Sequence, residues 1–267
     1  MAEKLGLIAG NGQFPILFAR IANQKGIAVY TAAYVNEADP QIERLSTRIQ
    51  WLHLGQVKRL IRFFKQHGIG RAVMLGGVRK TRLFTDVRPD IKAIAIIAGM
   101  RHTSDDAIMR AFADSLEKEG ITIAPSTFLL PELLATPGVW SRRRPSGAER
   151  KDIALGFTIA REIGRLDIGQ SVVIGGGSVL AVEAIDGTDA TIERGGRLGG
   201  GQAVLVKVCK PNQDVRFDVP SVGVTTIETM RRADVRALAI EAGKTLVFDR
   251  EEMIRAADEG DIAIFCQ

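Results

Sequence analysis

Three short apolar runs, Leu5 to Ala9, Ile27 to Ala33 and Arg71 to Leu75, alternate with stretches of helical periodicity, and this alternation constrains the fold more than any other feature. None of the runs carries a polar residue at every second place, so each reads as a strand buried on both faces. The clearest intervening helix, Gln56 to His67, puts Val57, Leu60, Ile61 and Phe64 on one face. Lys58, Arg59, Arg62 and Lys65 surround the rest, and Gly68 stops it. A second helix takes Ser104 as N-cap, with Asp105 and Asp106 in its positive first turn and Ile108, Phe112 and Leu116 as its apolar stripe. Gly120 ends it, and Ile121 to Ala124 returns to strand. Strands separated by helices pair in parallel through right-handed crossovers, which places ligand sites beyond the strand C-termini.

This reading covers residues 1–135 as an open Rossmann-like domain. The proline-, glycine- and arginine-rich stretch 136–148 has the composition of an exposed linker. Residues 149–267 form a second, mixed α/β domain, so the fold class is α/β with a ligand cleft expected between the two domains. There, Glu149 to Ile163 is a helix with Ile153, Phe157, Ala160 and Ile163 on one side. Ser171 to Ile174 and Val179 to Ile185 read as strands around Gly175-Gly176-Gly177, and Asp186-Gly187 as a tight turn into a strand over Ala190 to Glu193. Glycine clusters follow at Gly195-Gly196 and Gly199-Gly200-Gly201, and the tail from Val235 alternates again, with Arg250 to Ala257 helical.

Of the 267 residues, 46% are hydrophobic and 25% charged, which excludes disordered and fibrous classes. Aromatic residues, at 6%, are too few for a base-stacking nucleic-acid reader, and no nucleic acid is expected. Lys plus Arg number 36 against 31 Asp plus Glu, a net charge of +5 that favours anionic partners. Two cysteines, Cys209 and Cys266, suit a reducing compartment, with the cytosol as default. The N-terminal apolar stretch is broken by Gly10-Asn11-Gly12 and Pro15, unlike a secretory leader, and no run reaches the ~18 to 20 apolar residues that span a bilayer. Arg142-Arg143-Arg144 beside Trp140 suits an anionic membrane surface and a flexible connection equally.

Chemistry could sit at three places. Gly10-Asn11-Gly12-Gln13 follows the first strand, where glycines let backbone N–H groups approach a phosphate at a helix N-terminus. Pro15 replaces the third glycine of a dinucleotide fingerprint and no acidic residue closes the second strand at Tyr34, so nicotinamide binding is disfavoured. Gly76-Gly77, with Arg79 and Lys80, follows the third strand at the same sheet edge, so both loops could face one anion; a plain solvated turn is the alternative. The third place is Lys207 to Pro220, whose polarity alternates. If extended, it sets Asp214, Arg216 and Asp218 on one face and Val215, Phe217 and Val219 on the other. Such a face could hold Mg²⁺ against a phosphate that Arg216 grips bidentately, or be a self-compensating ion network on an exposed strand. Thr225-Thr226-Ile227-Glu228 resembles a capping box opening a helix near Asp218. His53, His67 and His102 are scattered, and no nucleophile elbow or Walker lysine occurs, so covalent catalysis is not indicated.

Read as motifs, Gly6 to Pro15, Gly169 to Val173, Ala181 to Asp189 and Lys210 to Pro220 with Gly223 resemble the LpxI family of UDP-2,3-diacylglucosamine diphosphatases, in order along the whole chain. The resemblance implies a cytoplasmic, Mg²⁺-dependent hydrolase of lipid A biosynthesis that splits UDP-2,3-diacylglucosamine into UMP and 2,3-diacylglucosamine 1-phosphate (lipid X). It also implies a peripheral place at the inner leaflet of the inner membrane, and a homodimer is left open. Family members close two domains over the substrate and need one aspartate of the C-terminal domain, here Asp214 or Asp218. Carried onto this chain, Asp214 and Asp218 hold Mg²⁺ and orient water, while Arg216 and Lys210 balance phosphate charge. Gly10, Asn11, Gly12, Gln13, Gly76 and Gly77 receive part of the nucleotide-sugar, with Lys80, Asp189, Gln213 and Thr225 as further substrate-binding residues. A noncatalytic nucleotide-sugar or lipid carrier, and a nicotinamide-dependent oxidoreductase, are the rival functions.

Overall fold

A computed structural model of the chain describes residues 3–78, 87–98, 105–125, 127–211, 213–217 and 219–267. Two compact units emerge: Met1–Leu130 with Asp214–Asp218, and Pro131–Gln213 with Val219–Gln267. In the first, β1 (Lys4–Ala9), β2 (Ala28–Tyr34), β3 (Arg48–Leu52), β4 (Arg71–Leu75) and β5 (Thr122–Ile123) form a parallel sheet in the order β3-β2-β1-β4-β5. The strand order reverses between β1 and β4, the place where open parallel sheets leave a crevice. Helices α1 (Phe14–Gln24), α2 (Ile42–Leu45), α3 (Val57–Gln66), α4 (Ile91–Ala98) and α5 (Asp105–Glu117) connect the strands. β1, β2, β4, β5 and α3 lie within a residue or two of expectation, because the apolar runs are buried on both faces, whereas β3, with only Leu52 buried, was not expected. Leu60, Phe63 and Phe64 of α3, Leu116 of α5, and Ile8, Ala32 and Ala72 of the sheet share one core. Ser104, expected as the cap of α5, lies outside the described residues.

The second unit is built on a mixed sheet in the order β6-β13-β11-β9-β7-β8, from β6 (Gly138–Val139), β7 (Ser171–Gly175), β8 (Ser178–Val182), β9 (Ala203–Lys207), β11 (Val235–Ile240) and β13 (Ala263–Cys266). β10 (Ser221–Val222) and β12 (Leu246–Val247) pair apart from it. Period-2 alternation fills both faces. Val172, Ile174, Val204, Val206, Ala237 and Ala239 pack under α6 (Gly147–Arg165). Val173, Leu205, Leu238 and Ile264 pack under α7 (Gly187–Gly199), α8 (Val224–Arg232) and α9 (Arg250–Glu259).

The structure departs from the sequence reading at several points. The strand expected over Ala190 to Glu193 is the middle of α7, whose Gly195 and Gly196 serve packing rather than turning. Residues 136–148, expected as linker, contribute β6 to the sheet edge, where it pairs with β13, and the capping box of α6. In that box Ser146 Oγ accepts from Glu149 N at 3.2 Å and Glu149 Oε2 accepts from Ser146 N at 2.7 Å. α8 starts at Gly223 as N-cap, two residues before Thr225, and Thr226 Oγ1 reaches back to Gly223 N at 3.4 Å.

Candidate functional site

At the crevice edge of the first unit the two glycine loops close on each other. Gly10 N donates to Leu75 O and Asn11 N to Gly77 O, both at 2.8 Å, while Gly77 N returns a bond to Asn11 O at 3.2 Å. A Cβ on Gly10 would lie 2.3 Å from Gly77 O, and one on Gly76, at φ +82°, 2.3 Å from Asn11 O. Glycine is needed here so that two backbones can touch, and the amides that touch are spent on each other. What remains open to an anion is the Gly12–Gln13 side, where a Cβ on Gly12 meets nothing within 4 Å and the first turn of α1 has no side-chain cap. Asn11 Nδ2 donates to Glu37 Oε2 at 2.8 Å, and Glu37 is buried. This acid, absent from the sequence reading, stands three residues beyond β2 because Asn36 (φ 63°) inserts a left-handed turn first. A carboxylate thus stands beside this first loop, past the strand end at which a ribose-reading acid is sought. Lys80 lies outside the described residues.

The Asp214 to Phe217 segment is a turn, not the extended ribbon expected from its alternation. Phe217 N donates to Asp214 O at 3.0 Å, and Asp214 Oδ1 accepts from Arg216 N at 3.1 Å. An aspartate that bonds its own backbone two residues on offers the chain an alternative to a strand ladder, and here that alternative wins. Asp214 and Arg216 therefore face each other rather than sideways. Arg216 Nε donates to Oδ1 at 3.0 Å and Nη2 to Oδ2 at 2.8 Å, a bidentate fork. Arg216 Nη1 donates to Glu117 Oε1 at 3.0 Å at the end of α5, and Arg110 Nε stands 4.0 Å from Asp214 Oδ2. The guanidinium lies 5.0 Å from the ring of Phe217, which leans on the first unit's core and fixes the turn. Asp218 lies outside the described residues.

Electrostatically the pair is a preset charge cluster. The Arg216 hydrogen bond, against a desolvation that opposes it, holds the Asp214 carboxyl below its ordinary range, and Asp214 raises Arg216 in turn. With a folded-state value depressed, Asp214 contributes stability that is present above its unfolded value of about 3.9 and lost as pH falls through the lower folded value. We expect the wild-type chain to lose more thermal stability on acidification below about pH 4 than Asp214→Asn does. Equal losses in melts at the two ends of that window would remove the pair from the account.

Lys210 and Gln213 sit together at the other end of this loop, in the second unit. Gln213 Oε1 accepts from Lys210 N at 2.8 Å, and Lys210 Nζ donates to Asp167 Oδ1 at 2.7 Å. Its stem is held by Glu241, just past β11, whose buried carboxylate accepts from Cys209 N at 2.8 Å and Arg161 Nη2 at 3.0 Å. Asp189 and Thr225 are exposed in the first turns of α7 and α8. Beside Asp189 lies a polar cluster the sequence reading lacked. Lys207, 8% exposed at the end of β9, donates to Thr188 Oγ1 at 3.2 Å and Ser221 O at 3.0 Å. Thr188 Oγ1 donates to Glu183 Oε1 at 2.9 Å. Glu183 and Thr188 lie in the Ala181 to Asp189 motif and Lys207 opens the Lys207 to Pro220 stretch, but nothing in their spacing joins the two.

Among the described residues no three His, Cys, Asp or Glu side chains gather as a metal site. Mg²⁺ asks less of a protein, usually one or two carboxylates plus substrate phosphates. Asp214 supplies a hard, ionised oxygen donor of the right kind, and its carboxylate would be shared with Arg216.

Compared with known proteins, residues 4–133 match the LpxI N-terminal domain and residues 136–265 the LpxI C-terminal domain. The chain is 34% identical over 274 aligned positions to the protein named UDP-2,3-diacylglucosamine pyrophosphatase LpxI of Caulobacter vibrioides, covering 98% of this chain and 96% of that one. Among solved structures it is similar to phosphoribosylglycinamide synthetase from Anaerococcus prevotii (10% identity, TM-score 0.29, 70% of this chain and 40% of that one). It is also similar to the biotin carboxylase subunit of pyruvate carboxylase (18% identity, TM-score 0.26, 76% and 42%). Likeness at that level carries no argument about either fold or function.

Proposed function

The chain belongs to the LpxI family, and on that premise we propose that it hydrolyses the diphosphate of UDP-2,3-diacylglucosamine to UMP and 2,3-diacylglucosamine 1-phosphate, a step of lipid A biosynthesis. The observation that carries the reading is the ionised Asp214 in its guanidinium cradle. A diphosphate resists hydrolysis because its anionic oxygens repel incoming water, so the protein's task is charge neutralisation and positioning rather than covalent attack. A carboxyl held below its ordinary range is a weak general base at neutral pH. That favours Asp214, with Asp218, as a ligand for Mg²⁺, which when bound would neutralise the diphosphate oxygens. Arg216 is spent on Asp214 across its bidentate edge, so it orients that carboxylate and adds positive charge, with Arg110 as the next cation. Gly12 and Gln13 offer amides, and Glu37 a carboxylate for ribose hydroxyls.

The cytoplasm and the inner leaflet, where a diacylated sugar nucleotide would be met, are the proposed setting. Incubation with UDP-2,3-diacylglucosamine, with and without a chelator, tests substrate and ion together. UMP should appear with Mg²⁺, vanish with chelator and return on adding Mg²⁺; release indifferent to chelation would sink the ion's role, and no release at all the reaction.

A further inference from the structure

α4 presents an apolar face that, among the described residues of the first unit, nothing covers. Ile91 is 80% exposed, Ile94 55% and Ile97 53%, at a spacing of three that keeps them along one side, and the preceding Val87 is 38% exposed. Only Ala93 of the helix is buried. Contiguous large apolar side chains on a surface mark an interaction site more often than chance exposure.

The helix is held in this attitude. One carboxylate, Asp90, caps two helices at once: Oδ2 accepts from Lys58 N of α3 at 2.6 Å and Oδ1 from Ala93 N of α4 at 3.0 Å. Arg88 N and Asp90 N donate to Leu54 O and Gly55 O at 2.8 and 3.0 Å, tying the entry to α4 against the loop before α3. α4 thus packs on α3 with Ile96 toward the core and Ile91, Ile94 and Ile97 outward. α3 has no acid in its sequence and exposes Lys58, Arg59, Arg62 and Lys65, with Arg88 exposed beside it. Lys65 and Lys92 are bound to Glu119, which leaves the rest of the row basic.

We propose that this α4 face, with the α3 cations, docks on an anionic phospholipid bilayer. The helix has 8 residues, about 12 Å, suited to shallow insertion in the headgroup region. Among the described residues no helix is long and apolar enough to cross a membrane. Cations beside an apolar stripe complement anionic headgroups, whereas a protein partner would require an acidic ridge of matching shape. The choice of lipid also rests on the diacylated substrate proposed above. The Trp140 to Arg144 stretch is the poorer anchor: Arg250 covers the Trp140 ring at 4.2 Å, and Arg143 pairs with Glu149 at 2.7 Å.

The test is co-sedimentation of the full chain with phosphatidylglycerol-containing vesicles and with pure phosphatidylcholine vesicles. Alongside the wild type are Ile91→Ser/Ile94→Ser/Ile97→Ser and Lys58→Gln/Arg59→Gln/Arg62→Gln, with UMP release measured on substrate in detergent micelles. The wild type should bind anionic vesicles preferentially, and the isoleucine variant about tenfold or more weakly. The cation variant should lose the salt-sensitive part of binding, and both should keep turnover in micelles, which also shows that they fold. Unchanged vesicle binding by the isoleucine variant, or none by the wild type, overturns the proposal. So does loss of micellar turnover with vesicle binding kept, which would assign the face to substrate acyl chains, or a change in oligomeric mass without lipid, which would assign it to a second copy. Absent UMP with vesicle binding intact would refute the enzymatic reading and leave the docking surface standing.

Discussion

Asp214→Asn should lower UMP release by about a hundredfold to a thousandfold, the cost of removing one preset charge from a phosphoryl-transfer site. The substitution keeps size but deletes the negative charge and turns the Oδ2 acceptor into an N–H donor, so Arg216 loses its ionic partner and its Nη2 bond while the turn keeps its Oδ1 acceptor. Stability should fall by only about 1–3 kcal/mol, because the Phe217 ring and the Asp214 O to Phe217 N bond still fix the turn. The effect should appear in kcat more than in KM, since a charge that faces the diphosphate is worth most when negative charge moves in the transition state. A variant that loses that stability yet turns over within a few fold of the wild type would show that the cluster is only an ion network. Glu117→Gln is the companion: it neutralises the outer acceptor of Arg216 Nη1 at 3.0 Å and should cost far less.

The largest expected effect on stability lies far from that cluster. Gly196→Ala should cost about 2–4 kcal/mol, which for a chain of this size lowers the melting temperature by roughly 5–15 °C. The added Cβ would stand 2.0 Å from Ala233 O and 2.8 Å from Ala233 Cβ, and a backbone carbonyl at the end of α8 cannot swing aside as a side chain can. One residue earlier, a Cβ on Gly195 would fall 2.4 Å from Val173 Cβ on β7, so α7 is seated against sheet and helix at successive positions. Gly200→Ala is the control, at φ +52° with nothing within 4 Å, and should cost only about 1–2 kcal/mol for its left-handed backbone. If Gly196→Ala melted no lower than Gly200→Ala, the close approach would not be what holds α7.

Those glycines show why part of this fold was legible in the sequence and part was not. β1, β2 and β4 announce themselves because strands buried on both faces must be apolar throughout, and α3 because its cations and apolar residues separate cleanly around the helix. Glycine at positions 195 and 196 reads as turn chemistry until Ala233 and Val173 are known to stand against it, and those neighbours come from other elements. The Asp214 to Phe217 segment fails for a different reason. Alternating polarity is shared by a half-buried strand and by a turn whose aspartate and arginine bond each other while a phenylalanine anchors them. The residue types were legible and their direction was not. Glu37 was hidden by a single left-handed residue, Asn36, which moves the acid past the end of β2 where a ribose-reading carboxylate is normally sought.

The most direct measurement is the product stoichiometry of UDP-2,3-diacylglucosamine incubated with the purified chain and Mg²⁺, resolved by mass. The account predicts UMP and 2,3-diacylglucosamine 1-phosphate in equal amounts. Recovery of the substrate intact, or release of UDP in place of UMP, would contradict it.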